Sequence, residues 1–390
     1  MSTATAAPVS AATAVAQALG RRARDTGAYP PAVSVGVTYV RDRDYALPTP
    51  MAYQRDQGSP AFEQVEELLT HLEHGTEALL MSSGMAAITA VFQALPSGSR
   101  VVVPEVKYFG LTKWLRTFGA DQGLTVVEVP MDDLDAVRAA LRAAPTALVW
   151  VETPANPTWK VTDVAAVAQL ARQAGALLAV DNTVATPVHT NPLLLGASIV
   201  MHSATKYLNG HDDVMAGGLV TDGSVPELWE RLKEQRRLAG QIPGTLEAYL
   251  LQRGMRTLTV RMPAVSRSAM EIATYFSEHP LVERVAYPGL ASDPGHRVAA
   301  KQMSGGFSGM MSVFLRAKGG AALETAKATE LFLPATSLGG TASLIEHRFT
   351  FEGPGSRSPE NMVRLSVGLE DTGELIADLE QAIAYGSKAV

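Results

Sequence analysis

A lysine among small hydroxyl residues is the group in this chain best suited to covalent chemistry. Lys206 lies in the run Ser203-Ala204-Thr205-Lys206-Tyr207, downstream of Asp181, which closes the apolar run 177–180. A lysine amine forms Schiff bases with carbonyl compounds, and a carboxylate at a strand end can keep a pyridine nitrogen protonated. The pattern therefore predicts a site for pyridoxal 5'-phosphate (PLP), with the carbonyl chemistry supplied by the cofactor.

Small residues provide the donors that such a cofactor needs for its phosphate. The turn Ser82-Ser83-Gly84-Met85 joins a predicted strand to a predicted helix. Free backbone N–H groups and the positive end of the helix dipole meet an anion at such a turn. Ser203 and Thr205 could add hydroxyl donors. Each feature alone also has a packing explanation, but their position around Lys206 favours a phosphate site.

Two further side chains are candidates, each with a structural alternative. Tyr108 follows a predicted strand and could stack on a planar cofactor, although an aromatic residue there is more often part of the core. Arg364 interrupts an apolar segment, so it needs an anionic partner. That partner is either a substrate carboxylate held bidentately or the acid of a structural salt bridge. The spacing of the eight histidines predicts no metal site.

Composition limits the classes of function. The chain has 390 residues, a formal net charge of -6 and no cysteine. It lacks the basic stripe of a nucleic-acid-binding protein, which favours a small-molecule substrate. The absence of cysteine excludes disulfides and thiol nucleophiles, and it fits a reducing cytosol. No segment reaches the roughly 18 apolar residues of a membrane helix. We therefore expect a cytoplasmic protein with no membrane or nucleic-acid partner.

The N-terminal residues 1–58 are predicted to form an arm. Residues 1–24 mimic a transit peptide in their Ala, Ser, Thr and Arg content, but an arm that is mobile or wraps a neighbouring subunit is the better interpretation, since no secretory core follows. Prolines and glycines in residues 30–58 interrupt any periodicity. Regular structure is predicted to begin at Ser59-Pro60, a helix cap followed by proline.

Residues 59–245 are predicted to form a large cofactor-binding domain of alternating strands and helices. Short apolar strands in this setting are typical of a mostly parallel sheet covered on both faces. A long helical stretch at 246–276 then begins a small α+β domain, which we assign to residues 246–390. The predicted strands are 77–82, 100–104, 124–129, 146–152, 177–181, 198–202, 217–221, 282–287, 310–315 and 362–367.

Several separated motifs together resemble the Cys/Met-metabolism (trans-sulfuration) family of PLP-dependent enzymes, which includes cystathionine γ-synthases and cystathionine γ-lyases. The resemblance extends from about Tyr53 to Leu379. The motifs are Tyr53-Gln54-Arg55, Ser82-Ser83-Gly84-Met85-Ala86-Ala87, Glu152-Thr153-Pro154-Ala155-Asn156-Pro157-Thr158, Val180-Asp181-Asn182-Thr183, the run 203–211, Ser337-Leu338-Gly339-Gly340 and Arg364-Leu365-Ser366-Val367-Gly368.

The resemblance implies an α/β protein of PLP-dependent transferase fold type I, the aspartate-aminotransferase-like fold. It implies an amino-acid substrate and a homotetramer built from homodimers. Two subunits share each active site in this family. Tyr53 and Arg55 match the pair that reaches the phosphate in the neighbouring subunit's site, where Tyr53 also lies near the substrate.

Roles within one chain follow from the same motifs. The resemblance implies that Lys206 carries the cofactor, that Asp181 holds the ring nitrogen and that Tyr108 stacks on the ring and assists proton transfer. It implies that the phosphate is bound by Gly84, Met85, Ser203 and Thr205. It also implies that Asn156 lies near the phenolic oxygen and the substrate. Ser337 and Arg364 are implied to bind the substrate, with Arg364 at the α-carboxylate.

The chain departs from the family pattern in four places. Gly58-Ser59-Pro60 replaces the usual Asn-Pro-Thr, and Asp212 stands where many members have Ser. Ala342 replaces the glutamate that can meet the distal ammonium of cystathionine, so cystathionine is less favoured as a substrate. Gly110 stands where methionine γ-lyases typically carry cysteine.

The expected reaction is γ-elimination or γ-replacement on an amino acid with a leaving group at Cγ, such as an activated homoserine or a homocysteine thioether. The route implied by the resemblance passes through an external aldimine and a vinylglycine-type intermediate. The alternatives are a β-eliminating C–S lyase and a methionine γ-lyase-like enzyme. A non-catalytic PLP-binding protein is disfavoured because Lys206 is present.

Overall fold

The computed structural model describes residues 9–20, 27, 29, 33–353 and 356–389. Its strands form a seven-stranded sheet and a five-stranded sheet. The seven-stranded sheet has the order β1-β7-β6-β5-β4-β2-β3. Its strands are β1 (Glu77–Met81), β2 (Arg100–Pro104), β3 (Thr125–Val129), β4 (Leu148–Glu152), β5 (Leu177–Asp181), β6 (Ile199–His202) and β7 (Gly217–Thr221).

The seven-stranded sheet is mostly parallel, as predicted. Only β7 is antiparallel to its neighbours β1 and β6 in the part of the chain described. The central strands β4 and β5 are buried almost throughout, because apolar residues point to both faces and helices cover both. The carboxyl ends of the parallel strands meet at one edge, where Glu152 and Asp181 are direct neighbours.

The five-stranded sheet has the order β10-β11-β12-β9-β8 and is antiparallel except for the β10 and β11 pair. Its strands are β8 (Val282–Ala286), β9 (Met310–Leu315), β10 (Leu333–Pro334), β11 (Leu344–Glu346) and β12 (Met362–Ser366). The short strands β10 and β11 carry no clear alternation, and they were not predicted. The domain boundary at residue 245 stays a prediction; the two sheets lie on either side of it.

Helices cover the sheets and begin at recognisable caps. The Asp163 side chain caps α7 and the Asp371 side chain caps α15. The helices are α1 (Ala11–Gln17), α2 (Gln54–Gln57), α3 (Pro60–Leu72), α4 (Gly84–Gln93), α5 (Phe109–Trp114), α6 (Leu134–Ala143), α7 (Val164–Gln173), α8 (Thr186–His189), α9 (Pro226–Ala239), α10 (Thr245–Met255), α11 (Leu258–Ser277), α12 (His296–Gln302), α13 (Ala321–Ala328), α14 (Arg348–Glu352) and α15 (Thr372–Gly386).

The helical stretch predicted at 246–276 is two helices, α10 and α11. The break between them is stabilised by side chains that donate hydrogen bonds to the backbone carbonyl oxygen of Gly254. Thr257 Oγ1 donates to this oxygen at 3.1 Å, and Arg261 Nη2 donates at 2.9 Å. An amphipathic pattern that continues across such a break does not reveal it.

The predicted arm contains one packed element. In α1, Ala14 and Val15 are fully buried in the same apolar cluster as Phe62 of α3. Residues 1–8, 21–26, 28 and 30–32 lie outside the described residues, so the arm stays a prediction there. From residue 33 to Tyr53 most of the chain is exposed and without regular structure. No described helix is both long and apolar enough to cross a membrane.

Candidate active site

A cavity of about 530 Å³ lies at the carboxyl edge of the seven-stranded sheet, and β12 of the second sheet reaches it through Arg364. The cavity brings together all the predicted site residues except Tyr53 and Arg55. The predicted residues in its lining are Gly84, Met85, Tyr108, Asn156, Asp181, Ser203, Thr205, Lys206, Ser337 and Arg364. Their individual roles stay predictions.

Lys206 lies in the loop between β6 and β7 and is largely buried. Its Nζ donates a hydrogen bond of 2.6 Å to Ser337 Oγ. Burial, with a smaller effect from the charge of Arg364, lowers the pKa of Lys206 to about 8. A substantial share of the amine is therefore neutral near physiological pH, as a nucleophile or base requires.

For Arg364 the sequence left open a structural salt bridge or a substrate-binding role, and the structure is compatible with both. It forms a salt bridge of 2.8 Å with Glu346 Oε2, and it also lines the cavity. Nη2 donates to the backbone oxygen of Ser337 at 2.8 Å, and Nη1 donates to Asn156 Oδ1 at 3.5 Å. Burial lowers the pKa of Arg364 to about 10, so the guanidinium stays charged at neutral pH.

Asp181 ends β5 with its carboxylate at the cavity. Both of its side-chain hydrogen bonds end on Oδ1, from Thr183 N at 3.0 Å and Thr183 Oγ1 at 2.5 Å. Oδ2 is left to accept a hydrogen bond from the protonated nitrogen of a bound pyridine ring. Burial raises the pKa of Asp181, and a cationic ring beside it would favour the ionised form again.

The predicted phosphate site lies at the start of α4. Ser83 Oγ caps the helix by accepting a bond from Ala86 N at 3.0 Å. A Cβ atom at Gly84 would lie 2.6 Å from Ser203 Oγ, so glycine is needed for this approach of the loop to the helix. Thr205 Oγ1 donates to Ala216 O at 3.1 Å, so its hydroxyl is already paired although the residue lines the cavity.

Tyr108 is 42% exposed at the cavity, at the N-terminal end of α5. Gly110 lies close to its ring. A Cβ atom at Gly110 would lie 2.6 Å from Tyr108 Cε1 and 2.9 Å from Met85 Sδ. A larger residue at position 110, such as cysteine, would therefore displace the tyrosine ring from this place.

Glu152 is a cavity residue to which sequence reasoning gave no role. It is buried at the end of β4, and its two carboxylate oxygens accept bonds from Tyr108 N at 2.7 Å and Asn156 N at 3.1 Å. The signal was present, because Glu152 ends a predicted strand just as Asp181 does. Arg348 and Phe351 of α14 also line the cavity and were not predicted.

Tyr53 and Arg55 do not reach the cavity of their own chain. Tyr53 is 40% exposed. Arg55 Nη1 donates to Arg237 O at 2.7 Å and pairs with Asp56 at 3.3 Å. The departure at Ala342 also lies away from the lining, on the half-buried loop before β11.

The donors in the cavity fit PLP. One cavity holds an amine of lowered pKa, a carboxylate with a spare oxygen, the N-terminus of a ten-residue helix and an arginine that could bind a carboxylate. Among the described residues, no group of three or more His, Cys, Asp or Glu side chains could hold a metal ion.

Comparisons with known proteins agree with this geometry. The family model described as Cys/Met metabolism PLP-dependent enzyme matches residues 12–384. Cystathionine γ-synthase of Mycobacterium tuberculosis is 41% identical over 92% of both chains. Cystathionine γ-lyase of Dictyostelium discoideum is 37% identical over 92% of this chain and 94% of the relative.

A solved structure gives the same result for the fold. Cystathionine γ-synthase of Xanthomonas oryzae pv. oryzae in complex with cystathionine matches with a TM-score of 0.93 and 32% identity, over 98% of this chain and 100% of that chain. This similarity confirms the predicted fold type I architecture. The chain belongs to the Cys/Met-metabolism family of PLP-dependent enzymes.

Proposed function

We propose that this PLP-dependent enzyme acts on an amino acid with a leaving group at Cγ, such as an activated homoserine or a homocysteine thioether, by γ-replacement or γ-elimination. Relatives named cystathionine γ-synthase and cystathionine γ-lyase support this reaction class. Cystathionine is the ligand named for the similar Xanthomonas oryzae structure.

The observation that carries the proposal is the position of Ser337. Its hydroxyl accepts from Lys206 Nζ at 2.6 Å, and its backbone oxygen accepts from Arg364 at 2.8 Å. A substrate whose α-carboxylate is bound by Arg364 therefore has its Cα within reach of the lysine amine. This is the arrangement required for proton removal at Cα.

The bound cofactor would supply an electron sink for the charge left at Cα. The protein's own residues do the remaining work. Lys206 takes the proton from Cα and moves a proton at Cβ. Asp181 keeps the ring nitrogen protonated. Tyr108, which lines the cavity, gives a proton to the departing group at Cγ.

Product analysis tests the proposal. The protein is incubated with O-acyl or O-phospho homoserine, with and without cysteine or other thiols, and products are identified by mass. A γ-substituted product indicates replacement, 2-oxobutyrate indicates γ-elimination, and pyruvate from cysteine-like substrates indicates a β-eliminating enzyme. Lys206→Ala is the control and abolishes all of them. Native protein that binds PLP but converts none of the γ-substituted substrates contradicts the proposal.

We also propose that a second copy of this chain completes the site, with Tyr53 and Arg55 acting in the neighbouring subunit. The Tyr53 residue is 40% exposed and the Arg55 side chain 42%, and neither lines the cavity of its own chain, which supports this proposal. Met215 lines the cavity yet is 65% exposed, which leaves an apolar rim for a neighbour to cover. Two such dimers would form the homotetramer that the resemblance implies.

Complementation between inactive variants tests shared sites. Mixed dimers of Arg55→Ala with Lys206→Ala, isolated through two different tags, should regain activity in about half of their sites. The control is the pair Lys206→Ala with Asp181→Ala, both from the same chain's cavity, which should regain none. Equal activity in the two mixtures would show that Arg55 serves its own chain.

A further inference from the structure

The carboxyl group of Glu152 accepts hydrogen bonds from the backbones of two segments that line the cavity. Its Oε2 accepts from Tyr108 N at 2.7 Å, and its Oε1 accepts from Asn156 N at 3.1 Å. These N–H groups belong to separate loops, one after β2 and one after β4. The residues that carry them are the proposed stacking tyrosine and the asparagine that contacts Arg364.

The surroundings of Glu152 fix its carboxyl group in place. It is 6% exposed and lies beside Asp181 in the register of β4 and β5. Burial first, and then the charge of Asp181, raise the pKa of Glu152 to about 8, while the two N–H bonds and the charge of Lys107 act in the opposite direction. Both protonation states leave a lone pair on each oxygen for an N–H donor.

We propose that Glu152 is a positioning residue of the active site, which sets the places of Tyr108 and Asn156 in the cofactor cavity through their backbone N–H groups. This inference rests on the proposed function for its kinetic consequences only. The chemistry explains the residue type, because two convergent N–H donors require two acceptor oxygens on one side chain. Glutamine offers one oxygen and turns an NH₂ group towards the other N–H, which leaves a buried donor without an acceptor.

The test compares Glu152→Gln with Glu105→Gln, a carboxylate that follows the neighbouring strand β2 and does not line this cavity. The first readout needs no substrate. It is the visible circular dichroism of the bound cofactor, which reports how the ring is held. Glu152→Gln should change this band and weaken PLP binding, whereas Glu105→Gln should leave both as in the native protein.

The second readout is kinetic. In Glu152→Gln, kcat should fall between about tenfold and a hundredfold, because misplaced groups act poorly on a bound substrate. The effect should shrink in a Tyr108→Phe background, since residues that act through one another are not additive. Thermal unfolding of each variant distinguishes a positioning effect from a general loss of stability.

An unchanged dichroism band with kcat within about twofold of native would overturn the inference. So would a fall in kcat with an unchanged band, or a loss that is fully additive with Tyr108→Phe. If native protein binds PLP but turns over no γ-substituted substrate, the proposed function fails, and the dichroism comparison still decides the role of Glu152.

Discussion

The proposed base and the proposed carboxylate-binding group are both buried cations joined through one serine. Lys206 and Arg364 contact the side chain and the backbone of Ser337, respectively. Burial, and after it the charge of Arg364, lowers the pKa of Lys206, whereas Arg364 keeps its charge because its ordinary pKa is higher. Arginine can therefore remain the anchor while lysine exchanges protons.

The lowered pKa of Lys206 predicts a pH dependence for cofactor loading. The neutral amine attacks the aldehyde, so the rate of PLP attachment to cofactor-free protein should rise with pH up to about 8 and then level off. Stopped-flow absorbance measures the rate, and Lys206→Ala gives the background. A rate that continues to rise about tenfold per pH unit above pH 9, as an ordinary lysine would give, contradicts the prediction.

Gly110→Ala should separate activity from stability. The atoms nearest to the added Cβ are Cε1 and Cζ of Tyr108 and Sδ of Met85, so the tyrosine ring must move. We expect kcat to fall by about tenfold. Stability should stay the same or rise by up to about 1 kcal/mol, because alanine favours the helix that contains position 110. Gly36→Ala, with only one distant neighbour, is the control. Native kcat in Gly110→Ala would refute this.

At this scale, residue type and strand position predicted part of the cavity lining, such as Lys206 and Asp181, and the family resemblance added Asn156 and Ser337. The hydrogen-bond partners of these residues could not be predicted. Arg364 could be recognised as a buried cation, but its partner Glu346 could not, because that residue lies on the unpredicted strand β11. The paired hydroxyl of Thr205 depends on the loop at Ala216, which no local pattern specifies.

At the scale of elements, a charged network joins β11, α14 and β12. Glu346 Oε2 accepts from Arg348 at 3.0 Å and from Arg364 at 2.8 Å, and Arg348 also pairs with Glu352 at 2.7 Å. All four side chains are largely buried. The network connects β12 to the short helix α14 at the cavity. The position of Arg364 therefore depends on elements beyond its own strand.

Glu346→Gln should destabilise this part of the protein. Two buried guanidinium groups lose their shared counter-charge, which costs about 3–5 kcal/mol. Urea unfolding at fixed protein concentration measures the change. Glu324→Gln, which removes the exposed pair with Lys327, should cost less than about 1 kcal/mol. Similar midpoints for the two variants would show that the network adds little to stability.

The strands of the large sheet were the elements best predicted from sequence. The apolar runs gave the strands of the large sheet almost to the residue, since buried parallel strands leave a continuous apolar signal. No helix was assigned at α6 or α9, where charged residues dilute the pattern. The short strands β10 and β11 exist through pairing with β12, which is a tertiary effect.

At the scale of the whole molecule, buried hydrogen bonds connect a loop of the first sheet to a strand of the second sheet. Trp159 Nε1, on the loop after β4, donates to Ser312 Oγ of β9 at 2.8 Å, and Ser312 Oγ donates to Pro157 O at 2.8 Å. Composition and periodicity predicted two units and a helical connection, but not where the second sheet would sit. That placement comes from such pairwise contacts between distant segments.

Ser312→Ala should loosen this connection. It leaves the Trp159 N–H and the Pro157 carbonyl buried without partners, at a cost of about 1–3 kcal/mol for each group. Calorimetric unfolding of the cofactor-bound protein measures it. Ser277→Ala removes an exposed hydroxyl on α11 and should change the midpoint little. An equal effect of the two substitutions would rule out this role.

Ser337 also has an evolutionary consequence. Its backbone is in the left-handed region, with φ of 88°, and this backbone rather than the side chain carries the contact to Arg364. Replacement by glycine or asparagine, which tolerate this conformation, would change the partner of the lysine and keep the contact to the arginine. A substitution at this one codon can therefore change turnover while substrate affinity stays the same.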